Sequence, residues 1–155
     1  ISNEKYMIKP ISPIFHGRHV FAPAAAYLSK GVKMESFGRE INPKELTKAP
    51  YEEAVVKGDK LAATVIHINH FGSLHLNILQ EEWDKLGIGK GNNVEIIIRR
   101  KKIIVPFANT FGDVAKGKPL IMKDDYRRIE VAVNCGSFFK RYAVNVGDNI
   151  LIKKL

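Results

Sequence analysis

The sequence predicts an α+β chain: a helical and loop-like stretch up to about Lys57-Gly58-Asp59-Lys60, then an antiparallel sandwich or small β-barrel over residues 60–155. Two observations carry this reading. Before the division, Ala24-Ala25-Ala26 and Tyr27-Leu28 run into Gly31, a helix pattern with a glycine stop. After it, short runs of β-formers follow one another with Gly-, Asn- and Asp-rich turns between them.

The elements follow in order. Pro23 fits only the first turn of a helix, so the first helix is expected to start at about Ala22. Asn42-Pro43-Lys44-Glu45-Leu46 offers an N-cap Asn, a Pro at the first helical position and a Glu three residues after the cap, enough for one or two turns. Strands are expected at Leu61–Ile68, Leu74–Leu79, Val94–Ile98, Ile103–Phe107, Pro119–Met122, Arg128–Val133 and Asn149–Lys153. Turns fall at Gly72-Ser73, Gly87–Asn93, Lys116–Lys118 and Gly147-Asp148. Gln80–Leu86 suits one helical turn with Trp83 and Leu86 on one face, and no internal repeat or low-complexity tract interrupts the chain.

At 155 residues, 45% hydrophobic and 26% charged, the chain is globular, sized for one domain or a compact one with a short appendage. No apolar stretch approaches the roughly 20 residues of a membrane span, and the start does not read as a signal peptide. The single cysteine, Cys135, excludes an internal disulfide framework and a cysteine metal cluster. A soluble cytoplasmic protein is the default. The chain opens on Ile1 without clear periodicity, which raises the expectation of an N-terminal portion beyond these residues.

The net charge of +9 is spread along the chain, with ten basic and seven acidic groups in residues 1–60 and fifteen and nine in residues 61–155. The one dense run, Arg99-Arg100-Lys101-Lys102, lies between two apolar runs and reads as a solvated hairpin turn rather than a nucleic-acid surface.

Three places invite chemistry. His67, His70 and His75 fall close together, but no carboxylate or thiol stands at ligand spacing. If the strand continues to Phe71, His67, Asn69 and Phe71 share one face and His70 takes the other. In Phe15-His16-Gly17-Arg18-His19, a His beside a Gly and an Arg suits a polar site that holds or relays a proton, against the plainer reading of a loop leading into a helix. Cys135 names no base for itself, so a buried or packed thiol is expected, with the Gly136-Ser137 turn free to present backbone amides to a planar ligand.

Four blocks in order carry a family resemblance. Ile14–Ala26 (IFHGRHVFAPAAA) is similar to F-H-G-R-D-I-F-A-P-A-A-A, and Val65–Ile78 (VIHINHFGSLHLNI) to a strand-turn-strand with D-x-F-G-N and a closing N-I. Phe107–Leu120 (FANTFGDVAKGKPL) is the third, and Arg128–Ser137 (RIEVAVNCGS), followed by Val146-Gly147-Asp148, the fourth. Together they resemble the S-adenosylmethionine (SAM) hydrolases, the adenosine-forming hydroxide adenosyltransferases related to fluorinase and chlorinase.

The resemblance implies the end of an N-terminal α/β domain and a linker over residues 1–57, then a C-terminal antiparallel β-barrel over residues 58–155. It also implies a homotrimer whose ligand lies between subunits, and a reaction in which water displaces methionine from the adenosyl 5′ carbon without metal or cofactor. SAM is then the substrate, and no membrane or nucleic acid is expected as partner. Carried over by position, the catalytic histidine is His16, while its Asp and Arg partners belong to a D-P-G-V-G-T-x-x-R segment that these residues lack. The 155 residues alone are therefore expected to be inactive. The substrate-binding positions are Asn69, Phe71, Ser73, Asp125, Glu130 and the stretch Val133, Asn134, Cys135.

The family usually shows Asp, Asn and Ser where this chain has Asn69, Ser73 and Asp125. Asn69 removes a charge that would meet the substrate ammonium, and Asp125 adds one near its carboxylate. The adenosine half of the site is thus better preserved than the methionine half. The alternatives are a non-catalytic adenosine- or nucleotide-binding relative and, behind it, a basic RNA-binding barrel.

Overall fold

Pro23 has no N–H to donate, and the first helix starts where none is needed. In the computed structural model, which describes residues 1–155, α1 spans Ala22–Ser29 with Pro23 in its first turn. A π-helical turn, Gly17–Phe21, runs directly into it. His16 therefore opens a continuous helical run in the α-helical region (φ −59°), not a loop as expected. The chain passes out of α1 through Gly31, whose φ of 85° is the left-handed stop. Asn42 caps a single 3₁₀ turn, Pro43–Glu45, by accepting the Lys44 N–H. Residues Ile1–Lys48 form one compact unit, in which Tyr6 packs edge-on to Tyr27 and against the buried Phe37.

The second unit, Ala49–Leu155, is built on alternation. Its strands are β1 (Val56–Lys57), β2 (Lys60–Ile68), β3 (Leu74–Leu79), β4 (Asn93–Ile98), β5 (Lys101–Pro106), β6 (Pro119–Lys123), β7 (Arg128–Val133) and β8 (Asn149–Lys154). Leu61, Ala63 and Val65 of β2 point inward, as do Val94, Ile96 and Ile98 of β4. The sheet runs β5-β4-β8-β2-β3-β7-β6, all pairs antiparallel, with β1 on β2 alone. Phe107, just past β5, bridges Ile121 of β6 and nearly closes the sheet into a barrel around one continuous core. Closure leaves almost no free edge, which is why one curled sheet forms instead of a sandwich.

The basic run is the expected two-residue hairpin turn. Ile98 pairs with Lys101, and Arg99 and Arg100 take φ of 47° and 65°, the backbone twist that a tight hairpin needs. Helix α2 (Gln80–Asp84) buries Trp83 against Phe107, ring centroids 5.3 Å apart, with Leu86 also buried. A further helix, α3 (Phe138–Tyr142), follows β7 and seats Phe138 in the core.

One irregularity positions the site. Val65 pairs with Leu76 and His67 with His75, so Ile66 is an extra residue on β2. This bulge flips the alternation. His67 and His75 then share the outer face, while Ile68 and Leu74 turn inward.

Candidate functional site

Asn69 ends β2 and builds the turn that follows. Its Oδ1 accepts the N–H groups of Phe71 (3.0 Å) and Ser73 (3.1 Å), and its carbonyl accepts the Gly72 N–H (2.9 Å). The strand therefore stops at Ile68 and does not continue to Phe71, so the expected shared face of His67, Asn69 and Phe71 does not exist. The side chain of Asn69 draws the chain into a turn instead. Phe71 stands at its tip, 77% exposed, with His70 edge-on beside it, while Ser73 is buried. Gly72 has φ of 83°, and its carbonyl accepts the Phe139 N–H (3.0 Å), which ties the turn to α3.

The facing wall is the end of β7 and the turn after it. Asn134 is clamped at both ends: its Nδ2 donates to the Val114 carbonyl (2.8 Å) and its N–H to that of Lys118 (3.0 Å). Cys135 lies in the left-handed region (φ 51°) and is exposed, so the thiol is not packed away as expected. The tight turn leaves its side chain nowhere to go but outward. Ser137 then caps α3 by accepting the Lys140 N–H.

Phe111 forms a third side. It sits on a turn capped by Asp113, whose Oδ2 accepts the N–H groups of Asn109 and Thr110 and whose Oδ1 meets Lys90 at 2.7 Å. The Lys90 hydrogen bond, with the two backbone donors, holds the Asp113 carboxyl below the usual carboxylate range.

These walls enclose an open cleft of about 820 Å³. Asn69, Phe71, Ser73, Glu130, Val133, Asn134 and Cys135 all line it, joined by Phe111, Gly136 and Ser137. Two aromatic faces and a backbone turn at its rim suit a flat heterocycle with hydrogen-bonding edges.

A second cleft, of about 540 Å³, adjoins the first and shares Asn69 and Glu130 with it. Asp125 lines this one. Its organising group is His75, whose Nδ1 lies 2.8 Å from Asp124 Oδ2 and whose Nε2 lies 3.3 Å from Asn69 Nδ2. Because Asn69 Oδ1 is taken by two backbone donors, its amide nitrogen must face His75. The network assigns His75 the neutral Nδ1–H tautomer, donating to Asp124 and accepting from Asn69. Asp124 Oδ1 also accepts the N–H groups of Tyr126 and Arg128 (2.8 Å each). Arg128 is turned away, held by both oxygens of Glu53 at 2.7 Å, which raises its affinity for its proton. His67 sits 5.5 Å from the His75 ring, and no three ligating groups gather around a point where a metal would sit.

His16 belongs to the N-terminal unit. It is exposed, makes no hydrogen bond, and stands edge-on to Phe21 at 6.5 Å. Beside it, the Arg18 guanidinium lies over the Phe15 ring at 5.0 Å, and His19 Nδ1 accepts the Ser12 N–H. No helix in the chain is long and apolar enough to cross a membrane.

Residues 63–151, which hold nearly the whole barrel and both clefts, match the SAM hydroxide adenosyltransferase C-terminal domain family. The chain belongs to that family. Among curated relatives of this adenosyltransferase domain, the (R)-S-adenosyl-L-methionine hydrolase of Thermus thermophilus is 35% identical over 94% of the chain and 51% of its own length. The enzyme of that name from Salinispora tropica is 29% identical over 98% of the chain and 55% of its own length. A fluorinase from an Actinoplanes species is 25% identical over 99% and 53%. The chain thus spans about half the length of the curated relatives it matches. A solved structure of an uncharacterised conserved protein from Thermotoga maritima superposes with a TM-score of 0.70 and 32% identity over 99% of the chain and 58% of its own.

Within this adenosyltransferase domain, sequence reasoning missed Phe111 as a wall and the His75–Asp124 pair. Phe111 lay inside a resembling block without a signal of its own. The pair joins residues 49 positions apart, which only the tertiary fold brings together.

Proposed function

We propose that the chain takes part in the hydrolysis of S-adenosyl-L-methionine to adenosine and L-methionine, holding the adenosyl group in the larger cleft. The observation that supports this is the meeting of two separate family blocks, 69–73 and 133–137, across one cleft of nucleoside size. Phe71 offers a free aromatic face to the purine, and the polar backbone of Asn134–Ser137 lies where its edge would fall.

In the reaction, the water oxygen bonds to the 5′ carbon as the carbon–sulfur bond breaks. The electron pair stays on sulfur, which leaves as the neutral thioether of methionine. The water gives up its proton to a base, His16 in this reading, with the Asp and Arg that the family resemblance assigns beside it. The sulfonium is already a good leaving group, so the protein's work is alignment of a partly desolvated nucleophile. The functional assembly is a homotrimer with the ligand between subunits.

The test follows methionine and adenosine by chromatography. His16→Ala is expected to lower SAM turnover by about 10²–10⁴-fold, the usual range for a positioned acid or base. Undiminished turnover in the variant refutes the assignment of His16. A second reading, adenosine binding without turnover, draws on Asn69 and Asp125 at the methionine end. Its signature is tight adenosine binding with no methionine released.

A further inference from the structure

Glu130 faces outward from the middle of β7, in register with His75 on β3 and Met122 on β6. It is only 7% exposed, yet no hydrogen bond or ion pair engages its carboxylate. The one fully enclosed side-chain polar atom without a partner is Trp83 Nε1, so the Glu130 oxygens reach the open space of the two clefts it borders. A carboxylate this deep without a counter-charge is costly unless a ligand supplies the missing partner.

The surroundings set the sign and character of that partner. Asp125 and Asp124 line the smaller cleft beside Glu130, and the His75 that Asp124 holds is neutral in the hydrogen-bond network. Every cation of the neighbouring segment is already engaged elsewhere: Lys123 by Asp84, Arg127 by Glu81 and Arg128 by Glu53. The cleft therefore offers unmatched negative charge and no free positive group to receive an anion.

We propose that the smaller cleft takes a cationic tail that carries no carboxylate, so that the ligand is an adenosyl compound ending in sulfonium and amine. This rests on the nucleoside reading of the larger cleft. SAM itself carries a sulfonium, an ammonium and a carboxylate. Its decarboxylated form keeps both cations and loses the group that Asp125 and Glu130 would repel.

Calorimetric titration of the protein with adenosine, SAM and decarboxylated SAM tests it. Decarboxylated SAM is expected to bind at least about tenfold more tightly than SAM, the scale of a like-charge contact a few ångströms away in a partly screened cleft. Glu130→Gln should weaken decarboxylated SAM and leave adenosine unchanged. Asp125→Ser, at an exposed position that does not touch the core, should narrow the gap by strengthening SAM. It decides the matter if the Glu130 variant does not fold. Adenosine binding together with SAM equal to or tighter than its decarboxylated form overturns the inference and leaves the nucleoside reading standing. Failure of adenosine to bind overturns both.

Discussion

Gly72→Ala tests whether the two walls of the larger cleft are mechanically joined. A Cβ built on Gly72 falls 2.8 Å from Cβ and 3.2 Å from Cα of Ser137, closer than atoms can pack. It would also sit on a backbone with φ of 83°, which costs an L-residue about 1 kcal/mol. To make room, Ser137 must give up its cap on the Lys140 N–H, worth about 1 kcal/mol. The bond from the Phe139 N–H to the Gly72 carbonyl must also stretch, at about 1 kcal/mol more. The expected loss is about 3 kcal/mol, or roughly a 10 °C fall in Tm for a unit of this size. Urea unfolding followed by circular dichroism measures it. In a Ser137→Gly background the obstacle is gone and only the backbone strain is left, so the same substitution should cost about 1 kcal/mol. A loss under 1 kcal/mol in the single variant, or an equal loss in both backgrounds, would show that the turn and α3 are not in the contact described.

Other expectations are simpler to check. Phe71→Ala should weaken adenosine binding by about 5- to 100-fold, the range of one lost base–aromatic stack, with no change in Tm because the ring packs on nothing. Asn77 is buried, accepting the Thr64 N–H at 2.6 Å and donating to the Glu52 carbonyl at 2.7 Å. Asn77→Ala should therefore cost about 2–3 kcal/mol in denaturant unfolding while leaving adenosine affinity alone. Asp148 is held below the ordinary carboxylate range by the Asn145 N–H and then by Arg99. Its contribution to stability is full above the ordinary value of about 3.9 and is lost as pH falls through the lowered one. Asp148→Asn should thus flatten the decline of Tm below about pH 4 and leave its slope between pH 5 and 7 unchanged.

The barrel strands were legible because alternation and turn residues act over a few neighbours. Leu74–Leu79 and Arg128–Val133 have the ends read from sequence, and the others shift by no more than two residues. What escaped had no local signal. Strand β1 is two residues long and pairs only because β2 returns beside it. Helix α3 has five residues, too few to show a period, and depends on its Ser137 cap. Asn69 read as a strand residue because nothing in its neighbours announces that its carboxamide will capture two backbone N–H groups. Cys135 read as buried because cysteines usually are, and its left-handed backbone is a demand of the turn rather than of the thiol. The position-by-position resemblance brought seven residues to one cleft, yet was silent on His75 and Asp124, whose identities belong to this chain.

The extra residue at Ile66 divides one strand between two owners. Up to Val65, odd-numbered positions answer to the barrel's packing; past the bulge, odd-numbered positions answer to the cleft. Changes at 67 and 69 are thus invisible to the core, and the chain can revise what it recognises without renegotiating how it folds. The converse is severe. Deleting Ile66 would restore even parity, swing the His67 imidazole inward toward Leu74 and Leu76, push Ile68 into water, and pull Asn69 out of the turn it builds. A single residue that pairs with nothing is what keeps the ligand side of this barrel free to diverge.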